Sequence, residues 1–137
     1  MADTIELELV SPEKLLLSEA VEMVVIPGED GDFGVLPGHS PVISNIRPGV
    51  LSVFENGAVT QRIFIASGFA EVTTGRCTIL AEGAEPVEDL DQIAVDQQIQ
   101  ELREDAANAD DEISRARVDG ALAIAEAKRT AITAPAY

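Results

Sequence analysis

Apolar and polar residues alternate at the start of the chain. In residues 4–10, Ile5, Leu7 and Leu9 share one face, and two glutamates occupy the positions between them. This period of two predicts a strand with one face buried and one face in water. Further short apolar runs, bounded by Gly, Pro or Ser, predict more strands. They span residues 14–17, 21–26, 41–46, 50–54, 59–66, 69–73 and 76–81.

The pair Asn56-Gly57 separates two of these runs. Both residues tolerate a positive φ, which a two-residue hairpin turn requires, so this pair predicts an antiparallel connection. Many short strands at regular spacing, with turn residues between them, predict an antiparallel β-sandwich or flattened barrel.

Residues 26–42, read as IPGEDGDFGVLPGHSPV, interrupt the strand pattern. They contain four of the ten glycines and three of the seven prolines. Such a composition disfavours helix and central strand, so we expect a set of tight turns. Phe33, Val35 and Leu36 are expected to tuck beneath it. The simplest interpretation is a chain turn with no function of its own, but the length of the loop and its acidic tip make a binding role worth testing. That tip comprises Glu29, Asp30 and Asp32.

The composition changes to Ala, Glu, Gln, Asp and Arg after residue 87, which predicts helices. Asp89 is the expected N-cap of the first helix. Its expected apolar stripe is Leu90, Ile93, Ala94, Ile99, Leu102 and Ala106. Residues 108–111 break the pattern, and a second helix is expected over residues 112–131, before Pro135.

The second helix has its own predicted faces. Those expected to point inward are Ile113, Val118, Ala121, Leu122 and Ala125. Those expected to point outward are Arg115, Arg117, Lys128 and Arg129. The fold class is therefore β + α: a β-sandwich domain over residues 1–87 and an antiparallel two-helix hairpin over residues 88–137.

The hairpin should be the weaker part of the molecule. Its inward face is rich in Ala, and each buried CH₂-sized group contributes only about 0.8 kcal/mol. Gly120 lowers helix stability by about 1 kcal/mol relative to Ala. We therefore expect the hairpin to shift or undock more readily than the sandwich.

Charge limits the partners of the protein. It carries 25 acidic and 9 basic residues among 137, a net charge of −16. This charge repels nucleic-acid backbones and anionic lipid, so neither nucleic acid nor direct membrane insertion is expected. The sequence also shows no apolar run of about 18 residues and no leader peptide pattern, which favours a cytoplasm-like compartment.

Candidate catalytic chemistry is sparse. Cys77 is the single cysteine and His39 the single histidine, so neither a cysteine zinc site nor a multi-histidine metal centre is expected. Cys77 lies in an apolar run and is predicted to be a buried hydrophobe. His39 is predicted to be a structural turn residue. No enzyme activity, metal or cofactor is expected.

Residues 28–49, GEDGDFGVLPGHSPVISNIRPG, resemble the ε subunit of F-type ATP synthase, of the bacterial type. The resemblance rests on a Gly-acid turn, a PGH-x-P motif and a basic-Pro-Gly turn, with support from residues 7–18, 65–72 and 89–91. These motifs stand at Gly31-Asp32, Pro37-Gly38-His39-Ser40-Pro41 and Arg47-Pro48-Gly49.

The resemblance implies a non-catalytic subunit of the central stalk in a proton-translocating complex. Its sandwich would bind the γ subunit and the membrane ring of c subunits, and its hairpin would contact the α and β subunits transiently. The turn at Gly31 and Asp32 would face the c-ring, and Ser11 and His39 would face γ. The complex would lie at the cytoplasmic face of the bacterial inner membrane, with this subunit bound peripherally.

Two departures from the family separate this protein from its regulated relatives. ATP-binding members carry a Leu/Ile-Asp-x-x-Arg-Ala motif, whereas here Leu90 and Asp91 are followed by Ala94 and Val95. Loss of the Arg removes a charge-assisted donor, so weak or absent ATP binding is predicted.

Inhibitory members use a basic hairpin against an acidic loop of the β subunit. From Glu88 onward this protein has five basic and twelve acidic residues, which predicts weak or absent inhibition. The alternatives are an ATP-sensing inhibitor of the ATPase and an unrelated acidic adaptor protein.

Overall fold

The computed structural model describes residues 4–134. Within that range the protein forms ten strands followed by two helices. The strands are β1 (Ile5–Val10), β2 (Leu15–Val21), β3 (Met23–Gly28), β4 (Gly31–Val35), β5 (Val42–Ile46), β6 (Gly49–Glu55), β7 (Ala58–Ile65), β8 (Ser67–Val72), β9 (Arg76–Glu82) and β10 (Glu85–Pro86). The helices are α1 (Gln92–Asn108) and α2 (Glu112–Thr133). The predicted β + α class is confirmed.

The strands form one sheet in the order β10-β7-β6-β3-β5-β8-β9-β1-β2, with β4 attached to β3. All pairs are antiparallel except β1 with β9. The sheet curls until its two ends approach each other, where the Gln61 amide of β7 donates a hydrogen bond to the Glu19 carboxylate of β2. The inward members of each alternating strand fill the enclosed core, among them Leu7, Val24 and Ile79.

The β6–β7 hairpin follows its sequence signal. Asn56 has φ 54° and Gly57 has φ 78°, which is the pair of positive angles expected of a type I′ turn. The predicted hairpin is confirmed.

The expectation of turns alone in residues 26–42 is wrong. β3 continues through Pro27 to Gly28, and β4 returns from Gly31, so most of this stretch is a strand hairpin. Pro27 has no amide hydrogen to donate, and its carbonyl accepts from the amide of Arg47 at 3.0 Å, just beyond the end of β5. Val35 is buried as expected, and Phe33 is half-buried.

Leu36 is not tucked beneath this stretch. It is 53% exposed, because β4 ends at Val35 and the backbone turns there. In that turn the His39 amide donates to the Leu36 carbonyl oxygen at 3.1 Å. Because Val35 points into the core, the alternation of the strand also turns its neighbour Leu36 outward.

The first helix begins two residues later than predicted. A 3-10 turn over Val87–Asp89 occupies the expected cap, and Asp91 becomes the N-cap instead. The Asp91 carboxylate accepts from the amides of Ile93 and Ala94 at 3.0 and 3.4 Å. Ile93, expected on the inner stripe, is 79% exposed, because it lies about 240° around the helix axis from the buried Ile99. Val95 and Ile99 are the buried residues of α1.

The second helix is capped by Asp111, whose carboxylate accepts from the Ser114 amide at 2.7 Å. This register turns Ser114 and Val118 toward α1, so Ile113 is 82% exposed and its predicted inward position is wrong. The Ala121, Leu122 and Ala125 side of the helix is buried or half-buried as expected.

The predicted outward position of Lys128 is wrong, since its side chain is only 23% exposed. Its ammonium lies 3.8 Å from a Glu85 carboxylate oxygen and 5.8 Å from the centre of the Phe64 ring. The cause is the docking of α2 on the sandwich. Phe64, Val87 and Ala131 form the buried centre of that contact, and the Arg62 guanidinium donates to the Ala131 carbonyl at 3.2 Å.

Candidate functional site

The acidic turn lies between β3 and β4 and is fixed by a distant part of the sequence. The Arg47 Nη1 donates to the Gly28 carbonyl at 2.6 Å, and its Nη2 lies 2.5 Å from the Asp32 carboxylate. The Glu29 amide donates to the Asn45 carbonyl at 2.9 Å. The Asn45 amide group donates in turn to the Glu29 carboxylate at 3.2 Å. Residues 27–32 and 45–49 therefore form one structure, which we term the acidic-turn unit.

Close packing adds to these bonds. Gly49 approaches Pro27 so closely that a Cβ at Gly49 would lie 2.8 Å from the Cβ of Pro27. A larger residue at Gly49 would push the two segments apart. The result is an exposed loop whose backbone has little freedom, and which presents Glu29 and Asp30 to solvent.

The two residues expected to face γ lie far apart. Ser11 follows the last residue of β1, where its hydroxyl donates to the Lys14 carbonyl and accepts from the Lys14 amide, both at 3.2 Å. Near the other end of β1, the Gly38 amide donates to the Thr74 carbonyl at 3.0 Å. The adjacent His39 donates from Nδ1 to the Ser40 carbonyl at 2.6 Å. β1 has six residues, and a strand of that length spans about 20 Å, so Ser11 and His39 lie at opposite ends of this distance.

An outward-facing apolar row crosses the sheet from the Ser11 end of β1 to β5. The register places Phe69 opposite Leu80, Leu80 opposite Val10, and Val10 opposite Leu15. Ile43 lies two residues from the partner of Phe69 on β5. The row is well exposed, reaching 57% at Leu15 and 71% at Ile43. We term these five residues the apolar row.

Three of the four positions of the ATP-motif remnant have structural roles in this fold. Leu90 packs on the cluster that docks α2 to the sandwich, and Asp91 caps α1. Val95 is buried between the helices. Ala94 stands at the Arg position of the motif, and it exposes only a methyl group to solvent.

The single cysteine has no accessible chemistry. Cys77 is fully buried in the sandwich, and burial raises the pKa of its thiol to about 12. Its prediction as a buried hydrophobe is confirmed. Within residues 4–134, no three His, Cys, Asp or Glu side chains come together to hold a metal ion. No helix in the same range is long and apolar enough to cross a membrane.

Comparison with known proteins agrees with the architecture. The family model for the β-sandwich domain of the ATP synthase delta/epsilon chain matches residues 4–87, and the model for the C-terminal domain of the ATP synthase epsilon chain matches residues 91–137. The ATP synthase epsilon chain of Rhodospirillum rubrum is 52% identical over 93% of this protein and 95% of its own length. That of Rhodospirillum centenum is 50% identical over 93% and 91%. The protein belongs to the ATP synthase epsilon chain family.

A solved structure resembles the molecule over nearly its full length. It is the Euglena gracilis mitochondrial ATP synthase, described as OSCP/F1/c-ring in rotational state 1, with a TM-score of 0.86 and 30% identity. The match covers 96% of this protein and 83% of that one. The central stalk and c-ring structure of the Tetrahymena thermophila mitochondrial ATP synthase matches at TM-score 0.67 and 12% identity over 94% and 96% of the two, which shows a shared fold.

Membership of the epsilon chain family excludes the unrelated acidic adaptor. The fold brings Gly31 and Asp32 together with the Arg47 turn, which the motifs do not reveal. It does not bring Ser11 to His39. The sequence pattern alone misses the apolar row, although a signal exists: Phe69 and Leu80 are large apolar residues at outward positions of otherwise alternating strands.

Proposed function

We propose that this protein is a non-catalytic subunit of the central stalk in a proton-translocating F-type ATP synthase, coupling c-ring rotation to ATP synthesis in F1. The observation that carries the proposal is the acidic-turn unit, which builds two of the family motifs into one rigid, charged surface. Residues 1–87 would bind the rotor. Residues 88–137 would form a hairpin that contacts the α and β subunits transiently. No cofactor takes part.

The acidic turn around Gly31 and Asp32 would meet the polar loops of the c-ring. Its charge suits basic loop residues, and attraction between opposite charges mainly sets orientation and specificity. Because Arg47 already holds the turn in place, little conformational entropy is lost on contact. A rigid contact is what transmission of rotation requires.

The apolar row would dock γ. It begins at Val10 and Leu15, beside Ser11, and ends at Ile43 on β5, the strand that follows His39, so it supports both residues as margins of one γ-facing surface. Complete burial of one large apolar side chain contributes about 1.5–3 kcal/mol, so five of them supply a substantial part of a stable interface. The unfavourable exposure of this row in the isolated subunit is thereby explained.

The test is co-purification of a tagged copy from gently solubilised membranes of its own host. The α, β and γ subunits and the c-ring should be recovered with it. Leu80→Glu, in the middle of the apolar row, should lose γ. Ile93→Glu is the matched control, since Ile93 is exposed on α1 and away from the row. Recovery of γ with both variants would rule out this docking surface.

The proposed location is the cytoplasmic face of the bacterial inner membrane, with peripheral attachment through the complex. The net charge of −16 supports attachment through protein partners rather than anionic lipid. Carbonate or low-salt stripping of F1 from membranes should release the subunit together with α, β and γ. Its retention on the stripped membrane without γ would contradict this placement.

We further propose that the hairpin binds ATP weakly or not at all. Asp91 is engaged as a helix cap, and Ala94 offers no charged donor to a polyphosphate. Calorimetric titration of the full-length protein with ATP tests this. Saturation below millimolar ATP would instead support the ATP-sensing regulator.

Inhibition of hydrolysis by the hairpin is proposed to be weak or absent. The segment from Glu88 onward has more than twice as many acidic as basic residues, which opposes contact with an acidic partner. Deletion of everything after Val87 should leave the hydrolysis rate of the assembled enzyme nearly unchanged. A several-fold rise in the rate would favour the alternative of an inhibitory subunit.

A further inference from the structure

We propose that Arg47 is the positioning residue of the acidic-turn unit, and that Glu29 and Asp30, rather than Asp32, are the carboxylates that meet the c-ring. The inference rests on the proposed function, because it concerns the same turn. It changes which side chain is expected at the contact. The resemblance implies Asp32, whereas the geometry gives that residue an internal role.

Arg47 joins three points of the turn. Its two terminal nitrogens reach the Gly28 carbonyl and the Asp32 carboxylate, at 2.6 and 2.5 Å. Its own amide donates to the Pro27 carbonyl at 3.0 Å. A planar guanidinium can serve two acceptors in fixed directions, which a lysine ammonium cannot do with the same geometry. Arg47 therefore sets where the β3–β4 turn points.

This arrangement is poorly explained as a device for stability alone. The side chains of Arg47 and Asp32 are 41% and 40% exposed, and ion pairs this exposed add at most about 1 kcal/mol to folding. The sandwich already has a large apolar core that does not include either residue. The pair instead restricts the backbone of the β3–β4 loop and offsets the negative charge of Asp32 on that loop.

The charges of the turn divide into two kinds. Asp32 is neutralised by Arg47. The Glu29 carboxylate accepts from the amide of Asn45, a neutral group that does not offset a negative charge. The side chain of Asp30 makes no hydrogen bond or ion pair with any other residue in the described range 4–134. The negative field at the tip therefore comes from Glu29 and Asp30.

The test measures binding of purified c-rings in detergent to a complex of the full-length protein with γ, at several salt concentrations. The decisive variant is Arg47→Met. It removes a positive charge, so electrostatics alone would tighten binding to basic ring loops. Loss of positioning would weaken it. We expect weakening of about five-fold, the size of one typical hydrogen bond.

A second variant holds the charge constant. Arg47→Met combined with Asp32→Asn keeps the net charge of the wild type, and we expect the same weakening of about five-fold. Arg47→Lys should restore part of the affinity. Affinity for γ should not change in any of them, which separates positioning from general damage to the fold. Equal or tighter ring binding by Arg47→Met would overturn the proposal.

The control distinguishes this inference from the function on which it rests. Glu29→Gln with Asp30→Asn should weaken ring binding and reduce its salt dependence, whereas replacement of Arg47 and Asp32 together, which removes a neutral pair, should leave that salt dependence nearly unchanged. If the variant of Glu29 and Asp30 binds like the wild type, the turn is not the ring contact and both proposals fail. If it weakens binding while the Arg47 variants do not, only the positioning role is wrong.

Discussion

The sandwich and the hairpin are stabilised in different ways. The core of the sandwich consists mainly of Ile, Leu and Val side chains, which come from almost every strand and are buried against each other. The two helices share a much smaller core of Val95, Ile99 and Ala125, and dock on the sandwich through Phe64, Val87 and Ala131. The comparison teaches that a helix pair can be well formed and still depend on few side chains.

Polar contacts make the docking of the hairpin specific rather than strong. Arg62 reaches the last turn of α2, and Lys128 lies against Glu85 and Phe64. Each such contact contributes about 1 kcal/mol or less at a partly exposed site. Undocking of α2 therefore requires loss of a small apolar cluster and a few weak bonds.

Ile79→Ala should have the largest effect on stability. Ile79 is fully buried in the middle of β9, so its truncation leaves a cavity in the sandwich. We expect a loss of about 2–5 kcal/mol in the free energy of unfolding, measured by urea denaturation. The control is Ile113→Ala, at a position 82% exposed, which should change stability by less than about 0.5 kcal/mol. Equal losses would contradict the assignment of the core.

Ile99→Ala should affect the hairpin and spare the sandwich. Ile99 is 2% exposed and is the largest buried side chain between the helices. We expect a local loss of about 2 kcal/mol or more, seen as faster hydrogen exchange of α1 and α2 amides while β1 and β9 amides stay protected. Ile93→Ala, on the exposed face of the same helix, is the matched control. Faster exchange throughout the molecule would show that the two regions unfold together.

The same contrast explains how far the sequence can predict the structure. In β1 and β9 apolar residues occupy every inward position, and on the outward side only Val10 and Leu80 break the alternation, so face and extent follow from the pattern. In α1, Asp89 and Asp91 are both acceptable caps, and only the 3-10 turn before the helix decides between them. The cap does not decide the face of the helix: Ile93 lies six residues before the buried Ile99, about 240° around the axis, so the two cannot share one face and the predicted stripe misplaces Ile93.

The candidate site likewise has a part that the sequence predicts and a part that it does not. The Gly-acid turn and the Arg47 turn are visible as motifs, but their pairing joins Asp32 to a residue fifteen positions away, and no local rule gives it. The apolar row depends on the register of β8, β9, β1 and β2 together. Such sets of neighbours exist only after the sheet has formed.

Gly120→Ala should strengthen the weaker region. A Cβ at Gly120 meets no other atom within 4 Å, so the methyl group adds helix propensity without a clash. We expect a gain of about 1 kcal/mol in the stability of α2, measured as slower hydrogen exchange of its amides. Ala123→Gly, at an exposed position three residues further along, should have the opposite effect. No change in either variant would show that packing, and not propensity, limits the hairpin.

Asp111 should give the hairpin a small dependence on pH. Its carboxylate accepts hydrogen bonds from the Ser114 amide and hydroxyl, and these bonds lower the pKa of Asp111 below its ordinary value. Because the folded state has the lower pKa, the cap stabilises α2 above the unfolded-state pKa, and this contribution is lost as the pH falls through the folded-state pKa. Asp111→Asn keeps a capping oxygen that does not titrate. The loss of α2 protection on acidification should therefore be smaller in this variant than in the wild type, and identical acid profiles would assign the pH dependence to other carboxylates.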